Sequence, residues 1–180
     1  RGRTMEAFAE IKPGKRYLTR IYLGIMLWFV GRAVQAAAKV DKEVAKEFEN
    51  MPDEYTFCLG AFPNGPYMIV GKDAIGRVRY KGGNPDKHDI HLEMGLKSLG
   101  NLFTMFTFRE STPVANARDR LFVCGDVPNA CACVRVLDIV QVYLLPKPIA
   151  KLAIKRYPRW SFKRHTLDRA LVLIRTLIGF

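Results

Sequence analysis

Residues 111–146, STPVANARDRLFVCGDVPNACACVRVLDIVQVYLLP, carry three elements in a row. Pro113 stands where a first helical turn tolerates it, and Val114, Ala115 and Ala117 give a short helix its apolar side. Leu121 to Cys124 is β-prone, and Gly125-Asp126 stops the strand. Val127, Ala130, Val134, Leu137, Val140 or Gln141, and Leu144 then recur at steps of three and four, which is helix spacing. Pro146 closes that helix. The unit holds no reactive triad, phosphate loop or metal cage, and it reads as a wall that covers something apolar.

Upstream, the pattern switches to period two. Tyr55, Phe57 and Leu59 alternate with Thr56, Cys58 and Gly60, and Tyr67 to Val70 makes a second run. A turn at 71–76 leads to a third strand, Arg77 to Tyr80, and Asp89 to Met94 alternates with Ile90, Leu92 and Met94 on one face. Residues 96–108 return to helical spacing through Leu96, Leu99, Phe103 and Phe106. Asp41 is placed to cap a helix whose Val44, Phe48 and Met51 form one stripe. Strands followed by helices with one late strand give the class α+β.

The 180 residues fit one domain with helical extensions, and with 49% hydrophobic residues they can bury a real core. Three segments follow: an apolar N-terminal helix extension at 1–40, a central domain at 41–146 and a basic helical extension at 147–180. The opening RGRTMEAF is set aside from this reading. The net charge of +12 is uneven: residues 51–146 hold 10 Lys/Arg against 10 Asp/Glu, whereas residues 147–180 hold 9 against 1. Such a tail suits an acidic partner, a lipid surface or nucleic acid, or is simply a solvated face. Within it, 147–157 reads as an amphipathic helix and 166–178 as a second, with Leu167, Leu171, Ile174 and Ile178 on one face. Lys155, Arg156, Arg159, Trp160, Phe162, Lys163 and Arg164 set basic charge beside aromatics, a pairing that suits the headgroup zone of a membrane. Residues 16–38 form one helix, with Trp28 among its amphipathic aromatics. Its uncharged run, Ile21 to Gly31, is shorter than the roughly 17–25 residues of a bilayer span. It is read as a core or partner helix, as a helix lying in a membrane interface, or as a short span.

Four cysteines in a chain this long do not form a secreted disulfide framework, which points to a reducing, cytoplasmic setting. Cys131 and Cys133, two apart on a helix, face different ways and read as packing residues rather than zinc ligands. His88 and His91 are placed on opposite faces of a strand entry, and Asp73 and Asp126 on backbone amides at turns. No nucleophile elbow, Walker loop or dinucleotide fingerprint is present, so nothing argues for catalysis, a metal or a cofactor.

The order of elements from Phe57 to Leu145 resembles the sterol carrier protein family, type two. The FCLGAF strand, the GKDAIGRVRY hairpin, the DIHLEM strand before an apolar helix, and RLFVCGDV before a helix ending in YLLP carry the resemblance, over about half the chain. It implies a mainly antiparallel, twisted five-stranded sheet with helices on one face, and a tunnel between them for fatty acyl chains, sterols or similar lipids. Leu96, Leu99, Leu102, Phe103, Phe106, Phe108, Val134, Leu137 and Val140 are the candidate lining. A cavity wall and a solid core share this composition, so the residues alone leave both open. The two terminal extensions depart from a minimal carrier and favour a form docked at an anionic membrane, or bound to a second copy or a partner protein. The expectation is a non-enzymatic lipid binder, cytoplasmic and peripheral to a membrane. The alternatives are an assembly subunit without ligand, a nucleic-acid binder using 147–169, which is the weaker candidate, and last an enzyme.

Overall fold

The late strand forms where the β-prone run lies, as β5 (Leu121–Cys124), and it is one edge of a five-stranded sheet. The computed structural model describes residues 16–107, 109, 112–145 and 167–178. The other strands are β1 (Thr56–Ala61), β2 (Tyr67–Lys72), β3 (Val78–Gly82) and β4 (Leu92–Leu96), in the order β3-β2-β1-β4-β5. The helices are α1 (Tyr17–Val40), α2 (Lys42–Glu49), α3 (Leu99–Phe106), α4 (Thr112–Ala117), α5 (Val127–Leu144) and α6 (Arg169–Ile178). The class is α+β, as predicted.

The sheet is mainly antiparallel, as the resemblance implies, with one parallel pairing. Its central pair, β1 and β4, runs parallel with Phe57 opposite Leu92 and Leu59 opposite Met94. The other three pairings are antiparallel. After the β1-β2-β3 meander the chain crosses back through 83–91, with one 3-10 turn at Pro85–Lys87, to the free edge of β1. It therefore enters β4 in the direction of β1. Side-chain alternation is the same for either direction, so the sequence pattern carries no signal for this choice.

Period two decides what reaches the core. Phe57, Leu59 and Ala61 of β1, Met68 and Val70 of β2, and Leu92, Met94 and Leu96 of β4 join Leu27, Val34, Val136 and Val140 of the helices in one cluster. On α1 the inward stripe is Leu23, Leu27, Val30, Val34 and Ala37, at steps of three and four. That helix crosses β2 and β3 closely at Gly31, where a Cβ would lie 2.5 Å from the Tyr80 ring and 2.9 Å from Met68 Cγ. Gln35 Oε1 accepts from the Tyr80 backbone N–H at 2.9 Å, so α1 satisfies a donor on the edge strand β3.

Caps fix the helix starts. Asp41 accepts from the Glu43 and Val44 amides at 2.8 and 3.3 Å, the role its position predicts. Val44, Phe48 and Met51 are buried. Ser98 Oγ accepts from the Asn101 amide at 3.2 Å, so α3 begins later than the helical spacing suggests and Leu96 stays in β4. Gly125, at φ +131, turns β5 into α5; a Cβ there would lie 2.7 Å from the His91 carbonyl oxygen. Asp126 then caps α5, accepting from the Asn129 amide at 3.4 Å. Arg135 of α5 forks onto Glu47 of α2 at 2.8 and 2.7 Å and holds that carboxyl below its ordinary pKa.

The C-terminal helix packs by a face other than the one that carries Leu167, Leu171, Ile174 and Ile178. Leu167, Leu171, Ile174 and Ile178 are exposed, while Val172 and Thr176 are the buried pair as α6 packs on α1. Apolar residues run around most of this helix, so spacing alone does not choose the packed face. Thr176 can be buried because its hydroxyl donates to the Val172 carbonyl at 2.7 Å. The helix read at 147–157 and the basic-aromatic joint after it lie outside the described residues.

Candidate ligand cavity

A cavity of about 280 Å³ lies between the sheet and the helices. Helix α1 contributes Met26, Phe29 and Val30; the sheet contributes Leu59, Met94 and Leu121; α3 contributes Met105 and Phe106. The remaining wall is α5, with Val134, Leu137, Asp138, Gln141 and Leu144, followed by Leu145. Two apolar stripes on α5 explain how it can serve both a core and a cavity. Cys133, Val136, Val140 and Tyr143 are fully buried, while Val134, Leu137, Gln141 and Leu144 turn to the opening.

Of the residues read from sequence as lining, Phe106, Val134 and Leu137 are on the wall. Leu96, Leu102 and Val140 are buried in the packed core, Leu99 and Phe103 pack against it, and none of these five is on the wall. Phe108 lies outside the described residues. The α1 contribution and the pair Asp138 and Gln141 were missed. A signal for the pair was present: a carboxylate and a carboxamide three residues apart interrupt an otherwise apolar helix face.

Asp138 is half-buried, and loss of water raises its carboxyl pKa. Neither Asp138 nor Gln141 makes a side-chain hydrogen bond or ion pair with another described residue, and no cation stands on the described wall.

The other polar candidates are tied to the backbone. His91 Nδ1 accepts from the Thr56 amide at 3.3 Å and its ring stacks on Tyr55, while His88 Nε2 lies 3.0 Å from the Lys81 carbonyl. Asp73 accepts from the Ile75 and Arg77 amides at 3.1 and 2.7 Å, and the Arg77 amide foremost holds its carboxyl below the ordinary value. Cys131 is exposed and Cys133 buried. Among the described residues no group of three His, Cys, Asp or Glu is placed to hold a metal ion.

Outside the cavity, the far face of α1 shows Leu18, Ile21 and Ile25 to solvent, each more than half exposed. Trp28 continues that face, with the Arg32 guanidinium 4.9 Å from its ring centroid. The other residues read as membrane contacts, Lys155, Arg156, Arg159, Trp160, Phe162, Lys163 and Arg164, lie outside the described residues. Helices α1 and α5 are both long and apolar enough, by length and composition, to cross a membrane, and each is buried over less than half of that stretch.

No protein-family model matches the chain. No curated protein matches it either. Among solved structures, it is similar to the apo form of sterol carrier protein 2 from Yarrowia lipolytica, at 14% identity and a TM-score of 0.43. That match covers 63% of this chain and 88% of the other. It is also similar to a UbiJ-SCP2 ubiquinone synthesis protein, at 12% identity and 0.39, covering 71% and 99%. A third likeness is to sterol carrier protein domain 2 of Helicoverpa armigera, at 15% identity and 0.40, covering 81% and 98%.

Proposed function

We propose that this protein binds a hydrophobic small molecule between sheet and helices and carries out no catalysis of its own. The observation that carries this reading is the cavity itself, about 280 Å³ with an almost wholly apolar wall. Burial there stabilises a ligand by roughly 25 cal/mol per Å² of apolar area. The volume lies near the lower end of small-molecule sites, about 300–1,000 Å³, and so favours one acyl chain or a compact ring system over a two-chain lipid. The resemblance in the order of elements supports a lipid as the class of ligand.

The protein works, on this reading, at the surface of an anionic membrane. Leu18, Ile21, Ile25 and Trp28 on α1 and Leu171 and Ile174 on α6 offer apolar contacts, with Arg16, Arg20 and Arg175 exposed beside them. The same faces support a second reading, docking on a partner protein as part of an assembly. Native mass spectrometry with organic extraction tests the ligand. A discrete lipid at about one per chain is the expected result, and a bare chain mass that exposure to liposomes leaves unchanged favours the assembly reading. Co-sedimentation separates the surfaces: binding to phosphatidylserine vesicles, lost in Ile21→Ser/Ile25→Ser, is the membrane outcome.

A further inference from the structure

The described apolar wall is broken at one place, where Asp138 and Gln141 stand one turn apart on α5. We propose that this pair is a polar subsite that selects an uncharged, hydroxyl-bearing hydrophobe over a fatty-acid carboxylate. The inference rests on the cavity reading and names the ligand class within it.

The chemistry follows from what faces the cavity. Both side chains have hydrogen-bonding capacity that no other described residue uses. A ligand hydroxyl donates once and accepts twice, so it can donate to the Asp138 carboxyl and accept from the Gln141 amide. Protonated or ionised, a carboxyl accepts such a bond.

A fatty-acid carboxylate meets the opposite situation. The described wall offers it no Lys, Arg or His, and Asp138 is the one titratable group there, of the same sign. Two carboxylates sharing an apolar site cannot both stay ionised without cost. A long-chain amine could pair with Asp138, but both charges would then have to leave water, and the pair's attraction does not reliably offset that loss.

The test is titration calorimetry at pH 7 on the full chain, passed over a hydrophobic resin, with decan-1-ol, decanoate and decylamine. The alcohol is expected to bind at least about tenfold more tightly than either charged probe. Asp138→Asn, which keeps the shape and removes the charge, should raise decanoate affinity and shrink the gap to below about threefold. Gln141→Leu should weaken the alcohol severalfold with Asp138 in place, a second readout should Asp138→Asn fold poorly. Decanoate or decylamine binding as tightly as the alcohol, or an unchanged preference in Asp138→Asn, overturns the subsite and leaves the cavity reading standing. No binding of any probe overturns both.

Discussion

The Tyr143 hydroxyl donates to Oδ2 of Asp41, a residue 102 positions earlier, and both side chains are buried. Asp41 uses its other oxygen to cap α2, so one carboxylate joins the end of α1, the start of α2 and the last turn of α5. The cavity wall of α5 is thereby held by a contact outside the cavity. Tyr143→Phe should cost about 1–3 kcal/mol, because it removes a donor from a buried acceptor. Asp41→Ala should cost more, since the cap goes as well, about 1 kcal/mol in its own right. Urea unfolding of both variants and the double variant checks this; strictly additive losses would show that the two residues are not coupled.

Gly31 marks the closest approach of α1 to the sheet, with Tyr80 and Met68 against it. Gly31→Ala raises helix propensity, which alone should stabilise by about 1 kcal/mol. The methyl would enter the Tyr80 ring, and overpacking of this kind typically costs about 1–3 kcal/mol. The expected net effect is destabilisation, measured as a lower urea midpoint at unchanged slope. A stabilised variant would show that α1 does not rest on β2 and β3.

Local chemistry made much of this fold legible. The Asp41 cap, the Gly125-Asp126 stop and the strand at 121–124 each depend on a few neighbouring residues, and each stands where the sequence placed it. The parallel pairing of β1 with β4 depends on where a nine-residue connection lands, to which alternation is blind. The lining was legible only in part for a related reason. Val134 and Val140 have the same side chain on the same helix, yet one faces an opening and the other packed neighbours. Only the positions of α1 and α3 across the gap decide between them. In α6 the obstacle was excess: too many apolar residues around the helix to single out the packed face.

Asp138 gives the protein a pH signature with a definite sign. Burial raises its folded-state pKa above the ordinary aspartate value of about 3.9, so the folded state holds the proton to higher pH than the unfolded chain does. Stability contributed by this group therefore falls as pH rises from about 4 through the raised value, and the penalty is fully present above it. Asp138→Asn should be more stable than the native protein at pH 8 and equal to it near pH 2. Thermal melts across that range decide the matter; a constant difference would mean that Asp138 does not titrate abnormally.

The four cysteines should divide into two pairs by reactivity. Cys58 and Cys133 are buried, and loss of water pushes each thiol up to about 12, so at pH 8 they hold almost no thiolate. Cys124 and Cys131 are exposed. Brief iodoacetamide treatment of the native protein should add two labels, at 124 and 131, and four after denaturation. Peptide mapping that finds label on Cys133 before unfolding would mean that α5 opens from the core readily.

Two substitutions on one helix separate an opening from a packed core. Leu137 is on the cavity wall, whereas its neighbour Val136 is fully buried on the other stripe of α5. A tryptophan at 136 has no space and should cost about 3 kcal/mol or prevent folding. At 137 the indole can enter the cavity, so Leu137→Trp should cost less than about 1 kcal/mol while it fills volume a ligand would need. Circular dichroism should report a native fold for Leu137→Trp, and native mass spectrometry should report loss of any co-purifying lipid. Equal destabilisation by both would mean that the space is packed in solution; full retention of ligand by a folded Leu137→Trp would place the binding site elsewhere.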